Sequence, residues 1–210
     1  MKKLSLFFLA LMMSTNMMSQ EIIQLPESNK NVPTTLFQAL QDRHSVRNFE
    51  DRSIDMPTLS QLLWAAIGVN RADGRMTAPT AVNAQEISVY VATKDGVCLY
   101  LNKENALKVV SKQDIRKEIA ARQTGVANAP VFLIIVSDLG KIRAKVGDRA
   151  LMMTAEDAGY VSQNICLGAA ALGLGTVPRH GMNREVIKSV LELGDNHEIM
   201  LNHPIGYPRK

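Results

Sequence analysis

Apolar positions along the chain fall into two rhythms. Leu59, Leu62, Leu63, Ala66 and Ile67 recur at helical spacing and predict one buried helix face. Asp55 supplies a capping acid, Pro57 fits the first turn, and Gly68 marks the end. Trp64, the only tryptophan, sits beside that face. Thr34 or Thr35 can cap a shorter helix running to about Asp42. Ile87 to Thr93 alternates as a strand does, Lys94-Asp95-Gly96 reads as a hairpin turn, and Val97 to Leu101 returns. Asn128-Ala129-Pro130 breaks the chain before Val131 to Ser137, a run so apolar that it belongs inside a sheet covered on both faces. Ala106 to Ser111 and Asp114 to Gln123 read as short helices, and Asn183 to Leu193 as another. Glu198 to Pro204 closes the series as a strand.

The longest helical stretch, Asp148 to about Leu172, is lean in side-chain bulk. Ala155, Ala158, Gly159, Ser162, Cys166, Ala169 and Ala170 line it, and Gly173 follows. Small residues let other backbones come close, which suits a helix at the centre of a domain or of a dimer. Glu156, Asp157, Gln163 and Asn164 interrupt it, so it does not read as a membrane span.

The N-terminus has its own pattern. Lys2 and Lys3 lead into the apolar run Leu4 to Met13, followed by Ser14, Thr15, Asn16 and Ser19. That order predicts a secretory signal peptide over residues 1–19, too short for a permanent anchor, and an exported protein, periplasmic or secreted. Residues 20–34, polar and punctuated by proline, read as an arm lying on a partner, and residues 35–210 as one domain without repeat or linker. Composition changes little: 210 residues, 46% hydrophobic and 21% charged, is ordinary for a globular chain. Removal of Lys2 and Lys3 lowers the formal charge of +4 by two, which is not a nucleic-acid-binding balance. Cys98 and Cys166 read as buried free thiols rather than a pair.

Most catalytic patterns are missing. His44, His180, His197 and His203 are scattered without metal-ligand spacing, Gly173-Leu174-Gly175 follows a helix rather than a strand, and no nucleophile elbow occurs. What remains is Arg43-His44-Ser45-Val46-Arg47. In an extended segment Arg43, Ser45 and Arg47 share a face, with His44 and Val46 opposite. Two guanidinium forks around a hydroxyl suit a phosphate or a polyol carrying one. A solvated basic loop is the other reading, and the segment alone leaves both open. Asn83 and Gln85 carry amides that donate and accept, as a flavin's ring edge requires, and Gly175 can bring bare backbone close to a ring.

Taken together, these stretches resemble the FMN-dependent nitroreductase family. The resemblance rests on Arg43 to Phe49, Leu62 to Gly68, Ala78 to Gln85, the lean helix running into Gly173-Leu174-Gly175-Thr176, and the closing Ile205-Gly206-Tyr207-Pro208-Arg209. The Leu-Leu-Trp-Ala-Ala and Gly-Leu-Gly-Thr-Val-Pro stretches are most similar to the branch of thiazole/oxazole-forming peptide dehydrogenases. The resemblance implies an α+β fold, a mixed sheet flanked by helices, in an intertwined homodimer with FMN at the subunit interface. Arg43, Ser45 and Arg47 would hold phosphate and ribityl chain, with His44, a departure at a position often Arg, beside them. Pro79, Thr80, Asn83 and Gln85 would approach from the partner subunit. Leu174, Gly175 and Thr176 would line the ring through backbone groups, and Arg209 would reach the phosphate. The flavin carries the chemistry, so no protein side chain is nominated as catalytic. The implied activity is electron or hydride transfer to a small organic acceptor such as a nitroaromatic or quinone, with NAD(P)H or another donor. Dehydrogenation of a peptide or small molecule, and flavin or ligand binding without turnover, are the alternatives.

Overall fold

The structure, a computed structural model, describes residues 21–209. The expected signal peptide at residues 1–19 and the last residue, Lys210, lie outside the described residues. In chain order the elements are β1 (Ile22–Gln24), α1 (Leu36–Asp42), α2 (Met56–Ile67), β2 (Ile87–Thr93), β3 (Gly96–Leu101), β4 (Ala106–Ser111), α3 (Arg116–Ala120), β5 (Val131–Asp138), α4 (Leu139–Val146), α5 (Ala150–Ala171), β6 (Gly175–Thr176), α6 (Arg184–Val190) and β7 (His197–Gly206). The strands form a seven-stranded sheet in the order β1-β4-β3-β2-β5-β7-β6. Its ladders are antiparallel. A parallel bridge between Ser45 and Thr176 at the β6 edge makes the sheet mixed. The α+β architecture expected from the sequence is the one observed.

β5 lies inside the sheet between β2 and β7, buried along almost its whole length. Val131, Leu133 and Ile135 face a core shared with Leu62, Leu63 and Ile67 of α2 and Ile165 of α5. Phe132, Ile134 and Val136 face a second core with Ile115, Ile119, Ile187 and Phe49. The unbroken apolar run is therefore a strand feeding two cores at once, its side chains alternating between them. Thr35 and Asp55 cap α1 and α2 through their side chains, accepting from Gln38 N–H at 3.1 Å and Thr58 N–H at 2.7 Å. Gly68 ends α2 with ordinary negative φ. A Cβ there would lie 2.3 Å from the Trp64 ring, so the glycine serves close approach to Trp64.

Three expectations need correction. Ala106–Ser111 is not a helix but β4, because Leu107 pairs with Tyr100 of β3 on one side and Ile23 of β1 on the other. Six residues are too few for their own periodicity to choose, and the sheet decides. The helix expected over Asp114 to Gln123 is confined to α3, Arg116–Ala120, since Ala121 turns to φ 50°. The helix expected to reach Leu193 ends at Val190, with Glu192 at φ 53°. Part of the expected arm, Ile22–Gln24, joins its own chain as the edge strand β1.

Candidate functional site

The segment after α1 is extended, as the alternation requires. Arg43 leaves the helix at φ −63°, ψ 117°. Val46 is buried while Arg43, Ser45 and Arg47 are exposed. Val46 plugs into the second core and donates its N–H to Thr176 O at 2.9 Å, which fastens the segment to β6. His44 departs from the expected alternation: it is exposed too, its ring Nδ1 2.8 Å from Asp42 O. The C-terminal strand returns alongside. Phe49 bridges Pro208, and Arg209 donates its N–H to Asn48 O at 3.1 Å. Arg43, His44, Ser45, Arg47, Leu174, Gly175, Thr176 and Arg209 thus belong to one edge of the molecule. A shallow cavity of about 220 Å³ opens there between Arg43, His44, Cys166, Ala170, Leu174 and Pro208.

The chemistry of this edge fits a phosphate. Among the described residues no carboxylate lies within ion-pair distance of Arg43, Arg47 or Arg209. Three exposed guanidiniums on one edge, none of them ion-paired, can donate to an anion, with Asp42 the one carboxylate lining the cavity. By contrast, the buried Arg179 is saturated by Gln123, Asn202 and the backbone carbonyls of Ile119, Ala120 and Gly181. A larger cavity of about 570 Å³ opens beside Ile54, Leu59, Val91, Cys98 and Leu107. It holds none of the expected residues, its Arg116 is paired with Asp114 at 2.8 Å, and acids share its rim.

Leu174, Gly175 and Thr176 lie on this edge, and their backbone is used within the fold. Leu174 spends its N–H on Ala169 O at 2.8 Å, closing the end of α5. A Cβ on Gly175 would sit 2.7 Å from Val46, so its bareness admits the Val46 side chain. Thr176 is buried, and its hydroxyl lies 3.2 Å from His203 Nδ1, whose Nε2 meets the Ser162 hydroxyl at 2.9 Å. Burial pushes the His203 pKa down to about 3, so a neutral imidazole ties α5 to β6 behind the edge. Burial pushes the Cys166 thiol up, with Arg43 pulling the other way.

Pro79, Thr80, Asn83 and Gln85 lie elsewhere. They form a turn over a short 3-10 segment, Ala81–Asn83, in which Val82, Asn83 and Gln85 all have positive φ near 50°. Such angles are rare for residues with a Cβ, most of all a β-branched valine. The Thr80 hydroxyl accepts Gln85 N–H at 3.1 Å, and Gln85 Nε2 donates to Gly74 O at 3.2 Å. Asp157 of α5 accepts Ala81 N–H at 2.7 Å. The cradle touches α5 at Cys166 and Ala170. From Asp157 to Ala170 the helix rises about 20 Å. A single chain therefore does not bring the turn to the cradle.

Two residues beneath the turn went unread in the sequence. Glu86 is fully buried and Asp157 nearly so. Thr154 donates to Glu86 Oε1 at 3.1 Å, and the Ser137 hydroxyl pairs with that of Thr154. Burial pushes the Glu86 carboxyl up to about 7, and the neighbouring Asp157 carboxyl adds to the rise. An acid heading an apolar strand was the only local sign of it.

The model of the nitroreductase family matches residues 40–207. The chain belongs to the nitroreductase family. It shares 31% identity and a TM-score of 0.85 with the crystal structure of Reut_A1228 from Ralstonia eutropha JMP134, assigned as a nitroreductase, over 92% of each chain. It is 28% identical over 193 residues to MJ1384 of Methanocaldococcus jannaschii, also assigned as a nitroreductase, covering 88% of this chain and 95% of the relative. It is 25% identical over 187 residues to the FMN reductase [NAD(P)H] of Bacillus subtilis, covering 82% of this chain and 66% of that one. These relatives carry the family and none of them points to the peptide-dehydrogenase branch. Among the described residues no helix is long and apolar enough to cross a membrane, and no acid, His and Cys cluster could hold a metal.

Proposed function

We propose that this nitroreductase-family protein is an FMN-dependent oxidoreductase acting as an intertwined homodimer on a small organic acceptor. The observation that carries the reading is the set of Arg43, Arg47 and Arg209, none of them ion-paired, along the edge that also presents Thr176. Arg43, Ser45 and Arg47 hold the phosphate and ribityl chain, with Arg209 closing on the phosphate from the C-terminal strand. When bound, FMN supplies the hydride or electron transfer. The chain positions it: Val46 and Gly175 interlock to fix the edge, and the neutral His203 fixes Thr176 behind it.

A second copy supports the arrangement in two ways. The turn at Pro79, Thr80, Asn83 and Gln85 cannot reach its own cradle, so it completes the site of the other copy. Exposed apolar side chains gather on the helices that such a copy would cover: Leu36, Phe37 and Leu40 on α1, and Leu151, Met152 and Tyr160 on α5. Phe37 alone is 82% exposed.

Nitroaromatics and quinones are the acceptor class, and NAD(P)H the first donor to test. The N-terminal pattern supports export, and outside the cytoplasm NAD(P)H is scarce, which would call for another donor or for a substrate that reduces the flavin itself. The purified protein should be yellow with flavin absorbance and should run as a dimer in light scattering. Anaerobic NADPH should bleach it. Failure to bleach, with reduction by a peptide or small-molecule substrate instead, would favour the dehydrogenase reading. A colourless protein that cannot be reconstituted with FMN would sink both.

A further inference from the structure

We infer that Glu86 and Asp157 share one proton, and that this proton latches the Thr80–Gln85 turn onto α5. The inference begins with an acceptor that has no donor. Glu86 Oε2 is buried and no hydrogen-bond donor reaches it, while Oε1 is taken by Thr154. Asp157 lies three residues beyond Thr154 on the same face of α5, and its carboxyl is the group that acts on Glu86. Glu86 is 0% exposed and Asp157 2%. No Lys, Arg or His among the described residues forms an ion pair with either. Two buried carboxylates cannot face one another as anions without a cation between them. A proton in the gap lets one oxygen donate to the other.

The shared proton has a structural output. With one Asp157 oxygen turned to Glu86, Oδ2 is held on Ala81 N–H at 2.7 Å. Ala81 opens the strained stretch, Val82, Asn83 and Gln85, that left-handed backbone makes costly to keep in place. The latch therefore sits at the root of the strain. It is joined to the sheet through Asp138 N–H, which donates to Glu86 O at 3.0 Å.

Charged groups facing the pair can be named element by element. Asp157 comes from α5 and is the one that acts on Glu86. Asp138, at the head of α4, turns its carboxyl to Gly140 N–H at 3.0 Å. Lys141 and Lys145 of α4 reach the backbone carbonyls of Gln85 and Val82, at 3.5 and 3.3 Å, rather than the carboxyls. β5 contributes Ser137, which is uncharged. Nothing here replaces the proton once it leaves. The Glu86 value near 7 then puts its departure within reach of ordinary pH.

The consequence for flavin rests on the proposed function, because Thr80, Asn83 and Gln85 are the residues assigned to it; the latch itself does not. The test is hydrogen–deuterium exchange of the turn in the full protein at about pH 6 and about pH 8, corrected for the intrinsic base-catalysed rate. Protection over residues 80–86 should fall about tenfold at the higher pH, one pK unit of linkage. Glu86→Gln keeps a neutral donor towards Asp157 and should hold the same protection at both. Asp157→Asn removes the neighbouring carboxyl that helps hold the proton on Glu86, so the loss of protection should move to lower pH. Unchanged wild-type protection, or Glu86→Gln retaining the wild-type dependence, or Asp157→Asn leaving it unmoved, would overturn the latch. Flavin absorbance read in the same samples separates the two claims: no flavin at any pH with the exchange step intact defeats the cofactor reading and leaves the latch standing.

Discussion

The cradle at Arg43–Arg47 and the turn at Thr80–Gln85 present polar groups in opposite ways. The cradle exposes like charges that form no ion pair and rests on apolar anchors, Val46 and Phe49. Its own backbone is relaxed and its donors are free. The turn hides its charges beneath it, in Glu86 and Asp157, and its visible backbone is strained at Val82, Asn83 and Gln85. One region leaves its charged donors unpaired. The other is tied down by a buried carboxyl, Asp157, that accepts Ala81 N–H. The first should therefore fail in binding without failing in folding, and the second should respond to protons before it responds to ligand.

Breaking that contrast should have its largest effect at Arg47. Arg47→Ala removes an exposed, charge-assisted donor, and FMN affinity should fall about 10- to 100-fold, or about 1.5–3 kcal/mol, with the melting temperature nearly unchanged. Full flavin occupancy in that variant would end the cradle assignment. Gly175→Ala tests the anchor rather than the charge. Its Cβ would drive into Val46, so stability should drop by about 1–3 kcal/mol and flavin should be lost with it. Calorimetry and absorbance on one preparation would read both.

The turn is tested by acid and base. Folded Glu86 keeps its proton to about 7, against 4.5 for the ordinary group. Between those values the folded chain binds more protons than the unfolded one. This group's contribution to stability should thus decline as pH rises from about 4.5 to about 7 and level off above, and Glu86→Gln should flatten that component of a melting-temperature profile. A profile that the substitution leaves untouched would contradict the raised value. The smallest effect belongs to His44→Ala, an exposed ring leaning on Asp42 O, which should cost less than about 0.5 kcal/mol in urea unfolding.

How much of this was legible follows from distance along the chain. The extended exposed segment could be read because Arg43, Ser45 and Arg47 alternate with other residues, and the apolar Val46 and Phe49 already said which way it faces. α2 could be read from its caps and its spacing. β5 could be read from an unbroken apolar run. The latch could not, since Ala81 and Asp157 lie 76 residues apart and neither carries a local pattern. β4 was misread because Leu107, Val109 and Val110 satisfy a helix as readily as a strand, and its real determinants are β3 and β1. β1 itself was hidden because Ile22 and Ile23 stay largely exposed at a sheet edge and Pro26 follows at once.

That edge has a further consequence. The sheet is bounded on one side by the three residues of β1 and on the other by the two residues of β6. Each border is too short to template another chain for long. β4 behind β1 runs for six residues, Leu107 and Val109 among them. A protease that clipped Ile22–Gln24 would strip the cover from a longer, stickier margin. Loss of those three residues, which belong to neither cradle nor turn, should shorten the life of this protein in solution.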